Sequence, residues 1–219
     1  MDREFIDIYC ERVGPAFWGE PLNAVSNLAF MASAALLILF LHRNKNTANH
    51  DLSHWVLITL ILLIGIGSSL FHTLAVRWTM WADIIPITLF IVAYSYLALT
   101  HFLSFSMWKS LSWTVAVLAL TAGLPAASGL RGSTYLSALI GMFTVGFFLR
   151  RADLRRPGTN PFFASGCIFA LSLVFRALDA PLCDIFPNGT HYFWHLLNAV
   201  VLFFLTRAFI QTASTRSSN

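Results

Sequence analysis

Two pairs of histidines in this sequence have a spacing that suits metal binding. His191 and His195 begin the apolar segment "HYFWHLLNAVVLFFLTRAFI", and His50 and His54 bracket "HDLSH". Side chains four residues apart lie on the same face of a helix, so each pair can chelate one ion. Because the spacing is identical, it does not show which pair binds a metal. That depends on where each pair lies in the fold.

The composition indicates an integral membrane protein. Of the 219 residues, 57% are hydrophobic and 11% are charged, whereas soluble domains carry about a quarter charged residues. Lipid offers no partner to an open sheet edge, so spanning segments are expected to be helices. We predict an all-α integral membrane protein, a seven-transmembrane-helix bundle at residues 1–211, with a polar, disordered tail at 212–219. The apolar stretches long enough to span a bilayer are 22–41, 55–75, 82–100, 110–127, 133–149, 161–178 and 192–210.

The distribution of positive charge predicts the orientation. In a bundle of seven spans, the loops after the first, third and fifth spans lie on the same side as the C-terminus. That side carries most of the lysines and arginines, including "RRADLRRPG" between the fifth and sixth spans. Cytoplasmic loops are enriched in Lys and Arg, so we predict the N-terminus outside and the C-terminus in the cytoplasm. We attribute the net charge of +4 to the lysines and arginines of the cytoplasmic loops, and no nucleic-acid partner is expected.

Few ionisable side chains fall within the predicted spans, and several of these share one depth. His72 comes late in the second span, which runs outward. Asp83 begins the third span and His195 the seventh, and both of these spans run inward. All lie about one helical turn, roughly 5 Å, below the outer edge. Intramembrane ionisable groups usually face the bundle interior or a cavity, so these side chains are predicted to meet there.

This layer contains the residues of a catalytic zinc site. His72, His191 and His195 would supply three nitrogen ligands and leave the open position that catalytic zinc needs. Soluble zinc proteases carry a glutamate base inside the His-x-x-x-His motif, but "HYFWH" has none. We assign the base to Asp83, the only carboxylate predicted at this depth, and a hydrogen bond to the water or carbonyl to Ser68. The alternative is a set of interfacial histidines among aromatic belt residues.

The second histidine pair is predicted to take no part in the metal site. "HDLSH" falls in a cytoplasmic loop, and we interpret the histidines expected near that side as interfacial or solvated: His42, His50, His54 and His101. Arg176 and Asp179, at the outer end of the sixth span, are expected to form a structural ion pair.

Two of the cysteines, Cys10 and Cys183, are predicted on the outer side, and Cys167 lies within the sixth span. A disulfide between the first two would suit an oxidising compartment. It would tie the N-terminal segment to the loop before the last span. Two unpaired thiols are the alternative, because the sequence gives no distance between them.

Three stretches of the sequence resemble the alkaline ceramidases, in particular their compact bacterial members. They are "YCERVGPAFWGEPLNAVSNLAF", "GIGSSLFHTLAVRWTMWADIIP" and "FRALDAPLC" followed by "GTHYFWHLLNA". The resemblance runs from Tyr9 to about Arg207. Its motifs are Ser-x-x-x-His, an Asp eleven residues after that His and followed by x-x-Pro, and a final His-x-x-x-His.

The resemblance implies a seven-helix membrane amidase with intramembrane zinc. The three histidines named above would hold the metal, and Asp83 and Ser68 would contact the water and the reacting carbonyl. The link between Cys10 and Cys183 fits the family pattern, and a bacterial inner membrane is favoured over an ER or Golgi membrane. The wider superfamily is thought to include adiponectin-receptor-like proteins and GPI-remodelling hydrolases, which share the metal set. The metal set therefore does not fix the substrate.

The resemblance also raises a second metal site. Animal members build a calcium site from an N-terminal segment with Asp, an aromatic residue, Cys and Glu in sequence. Here "YCE" at residues 9–11 matches, but Ile8 stands where Asp is expected and Asp7 is one residue early. Glu11 and Glu20, with Asp7, are candidate calcium ligands through their hard oxygens. A hydrogen-bonded N-terminal segment without calcium is the alternative.

The expected activity is zinc-assisted hydrolysis of the amide of ceramide or a similar N-acyl lipid, which gives a fatty acid and a sphingoid-like amine. The membrane lipid would enter from the bilayer, and no protein partner is inferred. A hydrolase of another lipid ester or amide, and a metal-stabilised receptor or scaffold, are the alternatives. A structural metal site needs no base, so a requirement for Asp83 would distinguish an enzyme from a receptor or scaffold.

Overall fold

The computed structural model describes residues 5–43, 51–128, 133–151 and 159–216, and the regular structure of this part of the chain is entirely helical. Its α-helices are α1 Pro21–Ser26, α2 Leu28–Arg43, α3 Leu52–Leu74, α4 Arg77–His101, α5 Met107–Ser128, α6 Leu136–Arg151, α7 Thr159–Leu178 and α8 His191–Arg216. Short 3-10 helices lie at Ser133–Tyr135 and Ala180–Leu182. The all-α class predicted from the composition is confirmed.

Within the described residues, five helical stretches are long and apolar enough to cross a membrane. They are Pro21–Arg43, Leu52–Leu74, Arg77–His101, Pro161–Leu178 and His191–Thr212. They coincide with the first, second, third, sixth and seventh predicted spans and support a multi-pass membrane protein. The remaining predicted spans, 110–127 and 133–149, fall on helical segments that include α5 and α6.

A tight turn joins α3 to α4. Ala75 lies in the left-handed region with a φ of 47°, and Val76 is extended, so the chain reverses within these two residues. The Thr79 hydroxyl accepts a hydrogen bond from the Val76 amide at 3.2 Å and so helps to begin α4. The C-terminal half of α3 therefore lies alongside the N-terminal half of α4, which brings His72 towards Asp83.

The two helices of this hairpin approach most closely at Gly67. A Cβ at this position would overlap the carbonyl oxygen of Ala82 and would lie 3.2 Å from the amide nitrogen of Asp83. Small residues allow helix backbones to approach closely in membrane proteins. The glycine thus allows its neighbour Ser68 to reach the same cavity as Asp83.

Apolar side chains fill the centre of the bundle and also cover much of its outside. Buried residues such as Leu57, Ile61 and Leu205 form the core. On the outside, Leu89 and Val174 are each 51% exposed. Extensive apolar surface of this kind suits contact with lipid rather than with water.

The last helix is longer than its predicted span. α8 continues to Arg216, into the segment predicted as a polar tail, and residues 217–219 lie outside the described part of the chain. His50 and residues 152–158, which hold most of "RRADLRRPG", also lie outside it.

Candidate metal centre

Three histidines from two helices meet inside the bundle. His72 lies in the last turn of α3, and His191 and His195 lie in the first turns of α8. Each is at most 2% exposed, and one ligand atom from each lies within 4.8 Å of the other two. Among the described residues this is the one group of His, Cys, Asp or Glu that gathers in this way. The structure thus brings together the three histidines that were predicted to hold one metal ion.

The position of His191 and His195 depends on how α8 begins. Asp179 Oδ1 accepts hydrogen bonds from the amides of Thr190 at 2.7 Å and His191 at 3.0 Å. A side-chain oxygen that satisfies the free amides of the first turn caps a helix, so Asp179 fixes where α8 starts. Gly189, with a φ of 64°, precedes this cap, and a Cβ there would overlap the Asp179 carboxylate.

The predicted ion pair between Arg176 and Asp179 is wrong. Asp179 gives its oxygens to backbone amides, including that of Cys10 at 3.2 Å. The Arg176 guanidinium instead lies 5.4 Å from the centre of the Tyr135 ring and 5.0 Å from that of Trp194. Arginine stacks well on aromatic faces, and this arrangement leaves its positive charge at the edge of the site.

A disulfide ties the N-terminal segment to the site. Cys10 and Cys183 are bonded, with their Cα atoms 5.3 Å apart, as predicted. Cys167 is a free and exposed cysteine. The bond holds the segment around Tyr9 next to the loop that leads into α8.

In two of the three histidines, His72 and His195, the Nδ1 atom makes a hydrogen bond that orients the ring. His72 Nδ1 lies 2.5 Å from Glu20 Oε2, and because a carboxylate accepts, the imidazole donates from Nδ1. His195 Nδ1 lies 2.8 Å from the Ser26 hydroxyl. That hydroxyl donates to the Asn23 carbonyl at 2.9 Å, so it accepts from His195. Bonds of this kind orient metal-binding histidines and leave Nε2 available to the metal.

The ring nitrogens inside the group fit a metal ion. His72 Nε2 and His191 Nδ1 are buried and have no hydrogen-bond partner among the described residues. Buried polar atoms without a partner are rare in proteins, and a cation between the rings would satisfy them. Three neutral imidazoles are a donor set that zinc accepts readily.

The two predicted catalytic residues lie at the same cavity as two of the three histidines. Ser68 and Asp83 line a small cavity together with His191, His195 and Arg176. Ser68 is 3% exposed, and its hydroxyl interacts with the Asp83 carboxylate. Asp83 Oδ1 is buried without a hydrogen-bond partner among the described residues. The site therefore places an available carboxylate oxygen at the cavity that His191 and His195 line.

A larger apolar cavity adjoins the small one. It encloses about 130 Å³ between α4, α6, α7 and α8, with lining residues such as Phe90, Met142, Phe162 and Leu202. Its lining also includes residues that border the small cavity: Phe30, Ile64, Ile87, Tyr135 and Trp194. An apolar space thus continues from the candidate metal centre into the bundle.

The residues predicted to bind calcium are engaged in bonds within the protein. Glu11 accepts hydrogen bonds from the amides of Leu22 at 2.5 Å and Asn23 at 2.8 Å. Glu20 accepts from the Asn23 side chain at 2.9 Å, from His72 and from Arg12. Asp7 is exposed. Within the described residues these carboxylates do not form a close ligand group.

The two glutamates differ in charge environment. Burial raises the pKa of Glu11, and its two backbone hydrogen bonds only partly oppose this. Burial acts in the same direction on Glu20, but the bonds from His72 and Asn23 and the charge of Arg12 lower its pKa below the usual value. Glu20 is thus held as a carboxylate beside the candidate metal centre.

His54, the member of the second histidine pair that the structure describes, packs at the other end of the bundle. His54 is fully buried, and its ring meets Phe209 edge to face at 5.4 Å. The His101 ring contacts the same Phe209 at 4.9 Å. The interpretation of His54 as interfacial or solvated is wrong, because α3 already begins at Leu52 and turns His54 towards α8. His42 is exposed, as predicted.

Several residues around the site were not found by sequence analysis. They are Tyr9, Arg12, Ser26 and, in its capping role, Asp179. One signal was present: Asn23, Ser26 and Asn27 form a polar stripe at helical spacing in an otherwise apolar span. Such a stripe in a membrane helix points into the protein.

Comparison of the chain with models of known protein families and with curated proteins gives no match. The fold and the site by themselves define an α-helical protein of membrane type with a buried three-histidine group suited to a metal ion.

Proposed function

We propose that the protein is an intramembrane, zinc-dependent hydrolase of lipid amides. The observation that carries the proposal is the position of Asp83 and Ser68 at the cavity beside His191 and His195. A structural metal site needs no base and no open space. An available carboxylate, a hydroxyl and a cavity at the ligand group are what hydrolysis requires.

His72, His191 and His195 would hold the metal. When bound, zinc would polarise the amide carbonyl and make a water molecule more acidic. The buried surroundings of the three rings strengthen such electrostatic effects, because little water screens them.

The remaining chemistry belongs to Asp83 and Ser68. Asp83 accepts the proton of the attacking water as the new C–O bond forms at the amide carbon. Ser68 donates a hydrogen bond to the oxygen that becomes negative, which stabilises the transition state. The C–N bond then breaks, and the proton passes from Asp83 to the leaving nitrogen, giving a carboxylic acid and an amine.

The apolar cavity supports a lipid as the substrate. It adjoins the catalytic groups and has the lining expected for an acyl chain rather than for a polar ligand. The amide of ceramide or of a similar N-acyl lipid would reach the site from the bilayer. In this proposal the chain has seven spans with the N-terminus outside, and a bacterial inner membrane is the favoured location.

Metal analysis combined with a hydrolysis assay tests the proposal. The purified parent is expected to carry stoichiometric zinc and to release fatty acid from a labelled ceramide. His195→Ala is expected to lose both the zinc and the hydrolysis. Absence of zinc from the parent would exclude the metal centre, and zinc without hydrolysis of ceramide or other N-acyl lipids would favour the receptor or scaffold.

A further inference from the structure

Arg12 joins the N-terminal segment to a candidate metal ligand through both its own side chain and that of Glu20. Its guanidinium is buried, with 6% of the residue exposed. Nε donates to Glu20 Oε1, and Nη2 donates to the His72 carbonyl at 2.8 Å. The same guanidinium lies 5.5 Å from the centre of the Phe5 ring.

Glu20 stands between Arg12 and the imidazole of His72. Its Oε1 faces Arg12, and its Oε2 accepts from His72 Nδ1 and from the Asn23 side chain. Both oxygens of this buried carboxylate are therefore used. Removing Arg12 or Glu20 alone would leave the other one as a buried charge without its ion-pair partner, which is costly.

The backbone leaves room for this arrangement at Gly19. A Cβ at that position would lie 2.9 Å from Arg12 Nη1. The carbonyl of Gly19 also accepts the Val13 amide at 3.1 Å, which closes the segment around Arg12. The chain thus folds around the guanidinium, and the guanidinium occupies the place next to Glu20.

We propose that Arg12 is a positioning residue that acts as a built-in cation, holding Glu20 against His72 so that the metal centre is organised without calcium. This inference rests on the metal centre of the proposed function. Arg12 touches neither substrate nor metal in this proposal. It fixes the carboxylate, the carboxylate fixes the ring, and the ring presents Nε2 to the metal.

A calcium ion at the same place would need six or more oxygen ligands. The oxygens of Glu11 are taken by backbone amides, and those of Glu20 by Arg12, Asn23 and His72. The positive charge that Glu20 requires is already present in the chain. Added calcium is therefore expected to have no effect on the metal centre.

Zinc affinity of the full-length protein, measured by competition with a chromophoric chelator in detergent, tests this role. Arg12→Gln and Glu20→Gln are each expected to lose about 10- to 100-fold in zinc affinity, the usual effect of removing an outer partner of a ligand. Arg12→Lys keeps the charge and is expected to recover part of the loss. Parent zinc affinity is expected to be the same with and without millimolar calcium.

Glu11→Gln is the matched control. Glu11 is a buried glutamate of the same segment, but it bonds to backbone amides and not to His72. This variant is expected to lower the thermal unfolding temperature and to leave zinc affinity unchanged. A purely structural role of Arg12 would give the same pattern for Arg12→Gln.

Unchanged zinc affinity in Arg12→Gln, or a parent whose zinc affinity rises with calcium, would overturn the inference. If Arg12→Gln does not fold, the zinc affinity of Glu20→Gln serves as the test, because this variant interrupts the same contacts from Arg12 through Glu20 to His72. A parent that binds no zinc overturns both this inference and the proposed metal centre. A parent that binds zinc without hydrolysing lipid contradicts only the proposed activity, and the affinity comparison still applies.

Discussion

The ring of Tyr9 stacks on the ring of His191, with centroids 3.9 Å apart and planes inclined by 20°. Tyr9 precedes the first helix, and His191 begins the last. The contact therefore closes the site from the side of the N-terminal segment, where the disulfide holds Tyr9 in place. Burial raises the pKa of Tyr9 to about 12, so its hydroxyl stays protonated at neutral pH.

Tyr9→Leu is expected to weaken both the packing of the segment and the orientation of His191. Aromatic pairs contribute about 0.5 to 1.5 kcal/mol beyond the area they bury, so the thermal unfolding temperature should fall. Tyr9→Phe keeps the stacked ring and loses only the weak 3.5 Å contact with Arg176. It should therefore unfold close to the parent temperature, and an equal loss in both variants would contradict a role for stacking.

Asp83→Asn should separate metal binding from turnover. The amide is nearly isosteric with the carboxylate, but it cannot accept the proton of water, so hydrolysis should fall by about 100- to 10,000-fold. Zinc content should stay at the parent level, because the three histidines are unchanged. Elemental analysis and a labelled-lipid assay on the same preparation measure both quantities. Full activity in Asp83→Asn would remove this residue from the proposed mechanism.

The parts of the site that follow from helix topology were predictable from the sequence. In a membrane helix the position along the chain gives the depth, so His72, Asp83 and His195 could be placed in one layer without a structure. The same argument does not apply to irregular segments. Glu20 was assigned to calcium because sequence gives its residue type, whereas its contact with His72 depends on how the N-terminal segment folds back over α3.

The wrong assignment of His54 has a similar physical origin. The predicted span began at residue 55, whereas α3 begins at Leu52, with the Asp51 side chain accepting the Ser53 amide at 2.8 Å. The apolar pattern locates the lipid-crossing part of a helix but not the polar cap that extends it. A helix that starts one turn earlier turns a supposed loop histidine into a buried one.

Gly67→Ala is expected to disturb the crossing of α3 and α4. The added methyl group would overlap the Ala82 carbonyl, and the backbone on both sides must move to accept it. Overpacking of this kind costs about 1 to 3 kcal/mol of stability. It would also shift Ser68 relative to Asp83, so the rate of hydrolysis should fall together with stability.

Gly123→Ala is the matched control, because a Cβ there meets no atom within 4 Å. In α5 that change should raise helix stability by up to about 1 kcal/mol.

Replacing Cys10 by serine should destabilise the protein and loosen the contacts of Tyr9 and Arg12 with the candidate metal ligands. Loss of a native disulfide costs about 2 to 5 kcal/mol, and here it also frees the segment that bonds to His72 and stacks on His191. Cys10→Ser should therefore unfold at a lower temperature and release zinc to a chelator faster than the parent. Cys167→Ser removes the free, exposed cysteine and should change neither property.

Treatment of the parent with a reductant should reproduce the effect of Cys10→Ser. The same treatment should leave Cys10→Ser unchanged, because this variant has no disulfide to lose. A reductant effect of equal size in Cys10→Ser would show that the disulfide does not hold the segment over the metal centre.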